Sequence, residues 1–172
     1  MRRFRGESGA NAVEFALVLP ILLMLVFGVL WGGMAYNQQL TLTQAAREGA
    51  RFAATLPHPE DPLDPGWPSW HASVRDRIHQ TSVNQLSATA GYTCIRVYDE
   101  TGTLLGDSEL GDPGPDPACA ARPSLAVGVA GSQARIEIEV ARPARFDFVF
   151  GGGQVRLRSN AVSRYEPSDP GS

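Results

Sequence analysis

The chain has 172 residues, 43% of them hydrophobic, which is enough for one membrane span and one modest domain but not for two full cores. Its formal net charge of −3 is weak, and every one of its fifteen basic residues is Arg. Because the part after the apolar segment carries twelve Arg against sixteen acidic residues and has no basic run, a nucleic-acid partner is not expected.

A basic leader, residues 1–9, precedes a long apolar segment. The leader contains three Arg and one Glu. The segment from Phe15 to Tyr36 contains no charged side chain. These 22 residues would form a helix of roughly 33 Å, enough to cross a hydrocarbon core of about 30 Å. We therefore predict a transmembrane helix at residues 10–36, with membrane lipid as its surroundings.

The flanks of this segment predict its orientation. The three Arg lie before it and the polar sequence 37–39 lies after it, so the positive-inside rule places the N-terminus in the cytoplasm. The chain is then a single-pass protein of the cytoplasmic (inner) membrane with its C-terminal part outside. Cys94 and Cys119 would lie in an oxidising compartment, which predicts a disulfide between them.

Two features inside the apolar segment affect helix packing. Gly28 and Gly32 form a small-xxx-small pattern, which allows two helices to approach closely, although Gly is common in membrane helices in any case. Pro20 has no N–H to donate to the Ala16 carbonyl and should kink or loosen the helix there.

The helix is predicted to continue outside the membrane over residues 37–56. A narrow face of mostly small residues recurs at steps of three and four, which suits close helix packing more than a bulky core. This face consists of Leu42, Ala45, Ala46, Gly49, Ala50, Ala53 and Leu56. Pro57 and Pro59 should end the helix.

Residues 9–15, Gly-Ala-Asn-Ala-Val-Glu-Phe, resemble the prepilin peptidase site of type IV pilins and pseudopilins. The resemblance implies cleavage between Gly9 and Ala10, which makes Glu14 the fifth residue of the mature chain. The new ammonium group of Ala10 could pair with Glu14 of the same chain or of a neighbouring subunit. The alternative is that Glu14 is only an acid favoured by the helix dipole.

The sequences 13–20, VEFALVLP, and 44–54, QAAREGARFAA, resemble the TadE-like family, which comprises minor pseudopilins of tight-adherence (Flp, type IVc) pilus systems. The resemblance implies a pilin-like subunit used in surface adherence or secretion, with assembly roles for Glu14, Phe15 and Pro20. Other pilins, the prepilin peptidase and the inner-membrane assembly platform are the implied partners. TadE-like and TadF-like proteins share this pattern, so that choice stays open.

Residues 57–166 are predicted to form a small extracytoplasmic α+β domain. Its expected elements are a loop over 57–68, a helix from Ser69, as N-cap, to about Ala90, a strand over 92–99 with a turn at 101–102, and an irregular segment over 106–123. The alternation at 134–140 predicts a strand with Ile136, Ile138 and Val140 inside and Glu137 and Glu139 outside.

The remaining sequence predicts the last strand and the tail. Phe146, Phe148 and Phe150 continue the period of two, residues 151–153 (three Gly) form a turn, and residues 154–164 pair back as a hairpin strand. Residues 167–172 form a disordered tail. The predicted fold class is α+β, with a long N-terminal transmembrane helix that continues outside the membrane, a second helix and an antiparallel sheet of three to four strands.

No catalytic, cofactor or metal site is predicted. His58, His71 and His79 are interpreted as surface histidines, because His71 and His79 are two helical turns apart and have no further ligands in the pattern. The three Gly at 151–153 have no phosphate-loop spacing around them. The chain is not expected to be an enzyme, and the main alternative to a pilin-like subunit is a permanently membrane-anchored extracytoplasmic binding protein.

Overall fold

A computed structural model gives the architecture of the protein and describes residues 7–57, 63–82, 86, 91–114, 117–125, 134–148 and 151–165. Its elements in chain order are α1 (Glu7–Thr55), α2 (Trp67–Thr81), β1 (Tyr92–Tyr98), β2 (Leu104–Gly111), a short 3₁₀ helix (Cys119–Ala121), β3 (Arg135–Phe148) and β4 (Gly151–Arg164). The predicted α+β class, with one long N-terminal helix, a second helix and a small antiparallel sheet, is confirmed.

The long helix α1 has two parts with opposite surroundings. It runs for 49 residues without interruption, through Pro20. Its N-terminal part contains an 18-residue window with a mean hydropathy of 2.7, none of which is buried. Within the described residues it is the one helix that is long and apolar enough to cross a membrane.

The C-terminal part of α1 packs into the domain core. Its small side chains are almost fully buried, in one cluster with the bulky residues of α2 and the sheet. At Gly49 a Cβ atom would overlap Ile78 of α2 and approach Ile138 of β3. The small residues predicted to suit helix packing therefore bring α1 against a bulky core, because a missing side chain lets the backbone approach large ones.

The sheet places α1 and α2 on one face. Its strand order is β2-β1-β3-β4, and neighbouring strands are antiparallel. On the helix side, the register pairs Ile95 with Ile138 and Val97 with Ile136, all four fully buried. Burying each such side chain contributes about 1.5–3 kcal/mol to stability, so this layer fixes α1 to the sheet.

The second helix begins earlier and ends earlier than predicted. It starts at Trp67 because Pro68 lies in its first turn, where the missing N–H costs no hydrogen bond. Gly66 is the N-cap, and the predicted cap, Ser69, lies inside the helix, where its hydroxyl donates to the Gly66 carbonyl. Ser82 closes the other end with an N–H donated to the Ile78 carbonyl. The predicted continuation over 83–85 and 87–90 lies outside the described residues.

Two glycine-rich stretches predicted as irregular or as a turn are strands. β2 (Leu104–Gly111) occupies the start of the segment expected to be irregular, as an edge strand paired with β1. The three Gly at 151–153 belong to β4 and pair with residues 146–148 of β3. Backbone hydrogen bonds form these ladders, so weak side-chain propensity did not prevent them. The leader up to residue 6, His58, Pro59, Phe150 and the tail from residue 167 lie outside the described residues.

Candidate functional site

The exposed apolar part of α1 is the most unusual surface of the molecule. Large apolar side chains are exposed all around the helix between residues 13 and 34. They are Val13, Phe15, Leu17, Val18, Ile21, Leu22, Leu23, Met24, Leu25, Val26, Phe27, Val29, Leu30 and Met34. A soluble domain does not leave an apolar surface of this size in water. This part of α1, named here the apolar rod (residues 11–35), must be covered by lipid or by other helices.

The predicted processing and assembly residues lie at the start of the apolar rod. Gly9 is exposed within the first turns of α1, and a Cβ there would meet nothing within 4 Å. Ala10 and Glu14 are four residues apart on the same helix, which places them on one face. Phe15 (63% exposed) and Pro20 are exposed as well. Gly9, Glu14, Phe15 and Pro20 are therefore open to another molecule in the part of the chain that the structure describes.

Gly28 and Gly32 line a groove between the apolar rod and the sheet. The groove is also lined by Trp31 of α1 and by Ala144 and Val155 of β3 and β4, and its volume is about 270 Å³. A Cβ at either Gly would meet nothing within 4 Å. Neither Gly is therefore packed against another part of the described chain.

Polar contacts fix the domain to α1 immediately after the apolar rod. The side-chain amide of Gln39 donates to the Arg158 carbonyl over 2.7 Å, and the Ser159 hydroxyl donates to Thr43 Oγ1 over 3.1 Å. Further along, Arg77 of α2 pairs with Glu48 at 2.6 Å. The apolar rod consequently projects from a domain that holds the other half of the same helix rigidly.

The sheet face opposite the helices carries buried charges, which corrects the sequence prediction. Glu137 and Glu139 were expected outside, but they are 0% and 4% exposed. Residues 117–125 cover them: Arg122 pairs with Glu139, while the Ser124 hydroxyl and the Leu125 N–H donate to Glu137. The alternation rule identified the correct face but could not show that another segment covers it.

The predicted disulfide between Cys94 and Cys119 is confirmed, and it fastens this covering segment to β1. Arg96 of β1 also donates to the Arg122 carbonyl over 2.8 Å. Although burial raises the pKa of Glu137, hydrogen bonds from Leu125, Ser124 and Arg135 and the charge of Arg96 hold that pKa below its ordinary value. Glu137 is therefore ionised and paired, as a structural group.

His71 is buried, contrary to its interpretation as a surface histidine. It is 6% exposed and stacks on Trp67, with Trp70 against its edge. Burial, followed by the charge of Arg75, lowers its pKa from 6.5 to about 4. Within the described ranges, no group of three or more His, Cys, Asp or Glu side chains is placed to hold a metal ion.

The match to a known protein family covers the apolar rod and its junction with the domain. Residues 9–51 match the family described as TadE-like protein. The TadE-like resemblance is confirmed over these residues. TadE-like proteins are structural pilus components, and the match covers this N-terminal part of the chain alone. The match includes Gly9, Ala10, Glu14, Phe15 and Pro20.

The rest of the chain is characterised by its structure alone. No curated protein and no solved structure shows a significant match to the chain. The TadE-like segment ends at residue 51, inside the packed half of α1. It therefore contains the whole exposed apolar rod, and its last residues enter the core of the domain.

Proposed function

We propose that the chain is a minor pseudopilin of a Tad-type pilus, made as a membrane-anchored precursor and cut between Gly9 and Ala10 by a prepilin peptidase. One observation carries this proposal: the N-terminal part of α1 contains an apolar 18-residue window with no buried residue, while the C-terminal part of the same helix packs into the domain core. A pilin-like subunit uses such a helix twice, first in the bilayer as an anchor and then among the helices of its neighbours.

The proposal also includes the orientation of the chain in the membrane. The leader lies in the cytoplasm, the apolar rod crosses the inner membrane and the α+β domain lies outside. The Cys94–Cys119 disulfide supports this arrangement, because disulfides persist in oxidising compartments and are rare in the cytoplasm. Other pilins and the assembly platform would meet the apolar rod and its start.

Glu14 has a specific role in this proposal. It lies at the start of the apolar rod, exposed in the single chain. Among apolar helices its charge needs a partner, and the ammonium group of Ala10, of the same or of a neighbouring subunit, provides one. Removing one member of a buried ion pair costs about 3–5 kcal/mol, which weakens association by more than about a hundredfold.

The experiment is crosslinking or co-purification of the processed Glu14→Gln protein with the other pilus components. We expect cleavage to persist and association to be lost, since Gln leaves the ammonium group unpaired. Glu7→Gln is the matched control, because Glu7 lies on the leader side of the cut and the mature chain is unchanged. Association of Glu14→Gln at the wild-type level would contradict the charge-pairing role.

A further inference from the structure

The strands β3 and β4 extend beyond the rest of the sheet as a two-stranded ribbon. β1 pairs with β3 only as far as Ala141, whereas β3 and β4 stay paired to Phe148 and Gly151. The ribbon, residues 142–148 and 151–157, is therefore seven residues long on each strand, or roughly 23 Å at 3.3 Å per residue.

The ribbon runs beside α1 towards the N-terminus of that helix. At its base, the Arg158 carbonyl accepts a hydrogen bond from Gln39. Further along, Ala144 and Val155 face the part of α1 that contains Gly28 and Trp31, across the groove described above. The ribbon consequently reaches alongside the outer part of the apolar rod, which the sequence places within the membrane.

The groove between the ribbon and α1 is apolar and open. Its lining consists of Gly28, Trp31, Gly32, Met34, Ala35, Gln38, Ala144, Arg145, Val155 and Leu157. Of these, Val155 is 49% exposed and Met34 is 48% exposed. Among the described residues nothing approaches a Cβ placed on Gly28 or Gly32 within 4 Å, so the described part of the chain does not fill this groove.

We infer that the ribbon is a second membrane-contacting element, and that a phospholipid of the outer leaflet occupies the groove between the ribbon and α1. An acyl chain matches the apolar lining, and the guanidinium of the exposed Arg145 matches a lipid phosphate. Trp31 and Tyr36 lie on α1 at the same end of the apolar segment, and such residues concentrate at membrane interfaces. The inference rests on α1 crossing the membrane, and not on entry into a filament.

The sequence near the outer end of the ribbon also favours a position at the membrane interface of the outer leaflet. Residues 146–148 of the ribbon are two Phe and one Asp. Aromatic residues suit the boundary between headgroups and acyl chains. A carboxylate such as that of Asp147 is costly at the bilayer centre and less costly near its edge. The ribbon therefore belongs in the interfacial zone of the outer leaflet.

The test measures the depth of spin labels on the full chain in phosphatidylethanolamine–phosphatidylglycerol liposomes. Single Cys substitutions are made at Val155 on the ribbon, at Val162 on the same strand but beside the domain, and at Leu25 within the apolar rod; all three side chains are exposed. Because both native cysteines are joined in the disulfide, the introduced thiol is the one that reacts. Collisions with oxygen report lipid, and collisions with a water-soluble nickel chelate report water.

We expect the ratio of oxygen to nickel collisions to be highest at Leu25, intermediate at Val155 and lowest at Val162. A Val155 label as accessible to nickel as the Val162 label, with Leu25 in lipid, would overturn this inference and leave the proposed function standing. A Leu25 label exposed to water would overturn the membrane anchor itself. A Val155 label shielded from both reagents would show that protein covers the groove, and would exclude lipid as its occupant.

Discussion

Arg96 and Glu137 are register partners on β1 and β3, with Arg96 Nη2 lying 3.0 Å from Glu137 Oε2 and both side chains at most 1% exposed. The ion pair lies under residues 117–125, beside the Cys94–Cys119 disulfide. The sheet is thus packed against apolar side chains on its helix side and carries buried ion pairs on its other side. The stability of the domain should depend on both layers.

Glu137→Gln should destabilise the domain by about 3–5 kcal/mol, because it leaves the buried guanidinium of Arg96 without a counter-charge. Glu48→Gln is the matched control: its partner Arg77 is 44% exposed, and such surface pairs contribute about 0–1 kcal/mol. Thermal unfolding of the full chain in mild detergent at pH 7 measures both. Equal losses in the two variants would contradict the buried-pair account.

Reduction of Cys94–Cys119 should also lower the free energy of unfolding. Closing a loop of 25 residues constrains the unfolded chain by about 3.5 kcal/mol in the chain-entropy model. Reduction should further loosen the segment that covers Glu137 and Glu139. The measurement is unfolding with and without a reductant, alongside the Cys94→Ala/Cys119→Ala double variant. A stability unchanged in both cases would show that the segment is held without the bond.

The two classes of glycine on α1 should respond differently to the same substitution. Gly49→Val would force a side chain into Ile78 and Ile138, and such overpacking costs about 1–3 kcal/mol. Gly32→Val meets open space in the single chain, so domain stability should be unchanged. Unfolding of both variants in detergent decides between them. A large loss for Gly32→Val would mean that this position is packed within the chain.

The burial of His71 predicts that the stability of the domain depends on pH between 5 and 7. Its pKa is about 4 in the folded protein and 6.5 unfolded, so between these values the unfolded chain binds a proton that the folded chain does not. Stability must therefore fall as the pH is lowered from 7 to 5. His71→Phe keeps a ring against Trp67 and should flatten the change in melting temperature over this window. An unchanged slope would contradict the burial of a neutral imidazole.

The sequence was most informative where one periodicity dominated. The apolar segment and the helix-facing residues of β1 and β3 follow single patterns, so α1 and the sheet core could be predicted. Pairing between segments that are distant in the sequence could not be predicted. Glu137 alternates as a surface residue, and its burial depends on residues 117–125, which are fastened by a disulfide to a different strand.

The exposed apolar helix of the candidate site was predictable from the sequence, but the strands beside it were not. The apolar rod follows from the sequence itself, whereas the roles of Gly9, Ala10 and Glu14 are implied by the family resemblance and stay predictions. The groove at Gly28 was not foreseen, because it requires β3 and β4 to continue past β1 and to pass beside α1. Three consecutive Gly in β4 conceal that extension, since Gly has a low strand propensity.

The N-terminal residue of the protein isolated from the envelope of a host that carries a prepilin peptidase tests the central claim most directly. We predict Ala10 as the first residue of the wild-type chain, and an unprocessed leader in Gly9→Val, whose side chain is too large for a site that takes Gly. Mass measurement of both proteins gives the answer. A wild-type chain that still begins at Met1 would contradict the pseudopilin account and would favour a permanently anchored extracytoplasmic binding protein.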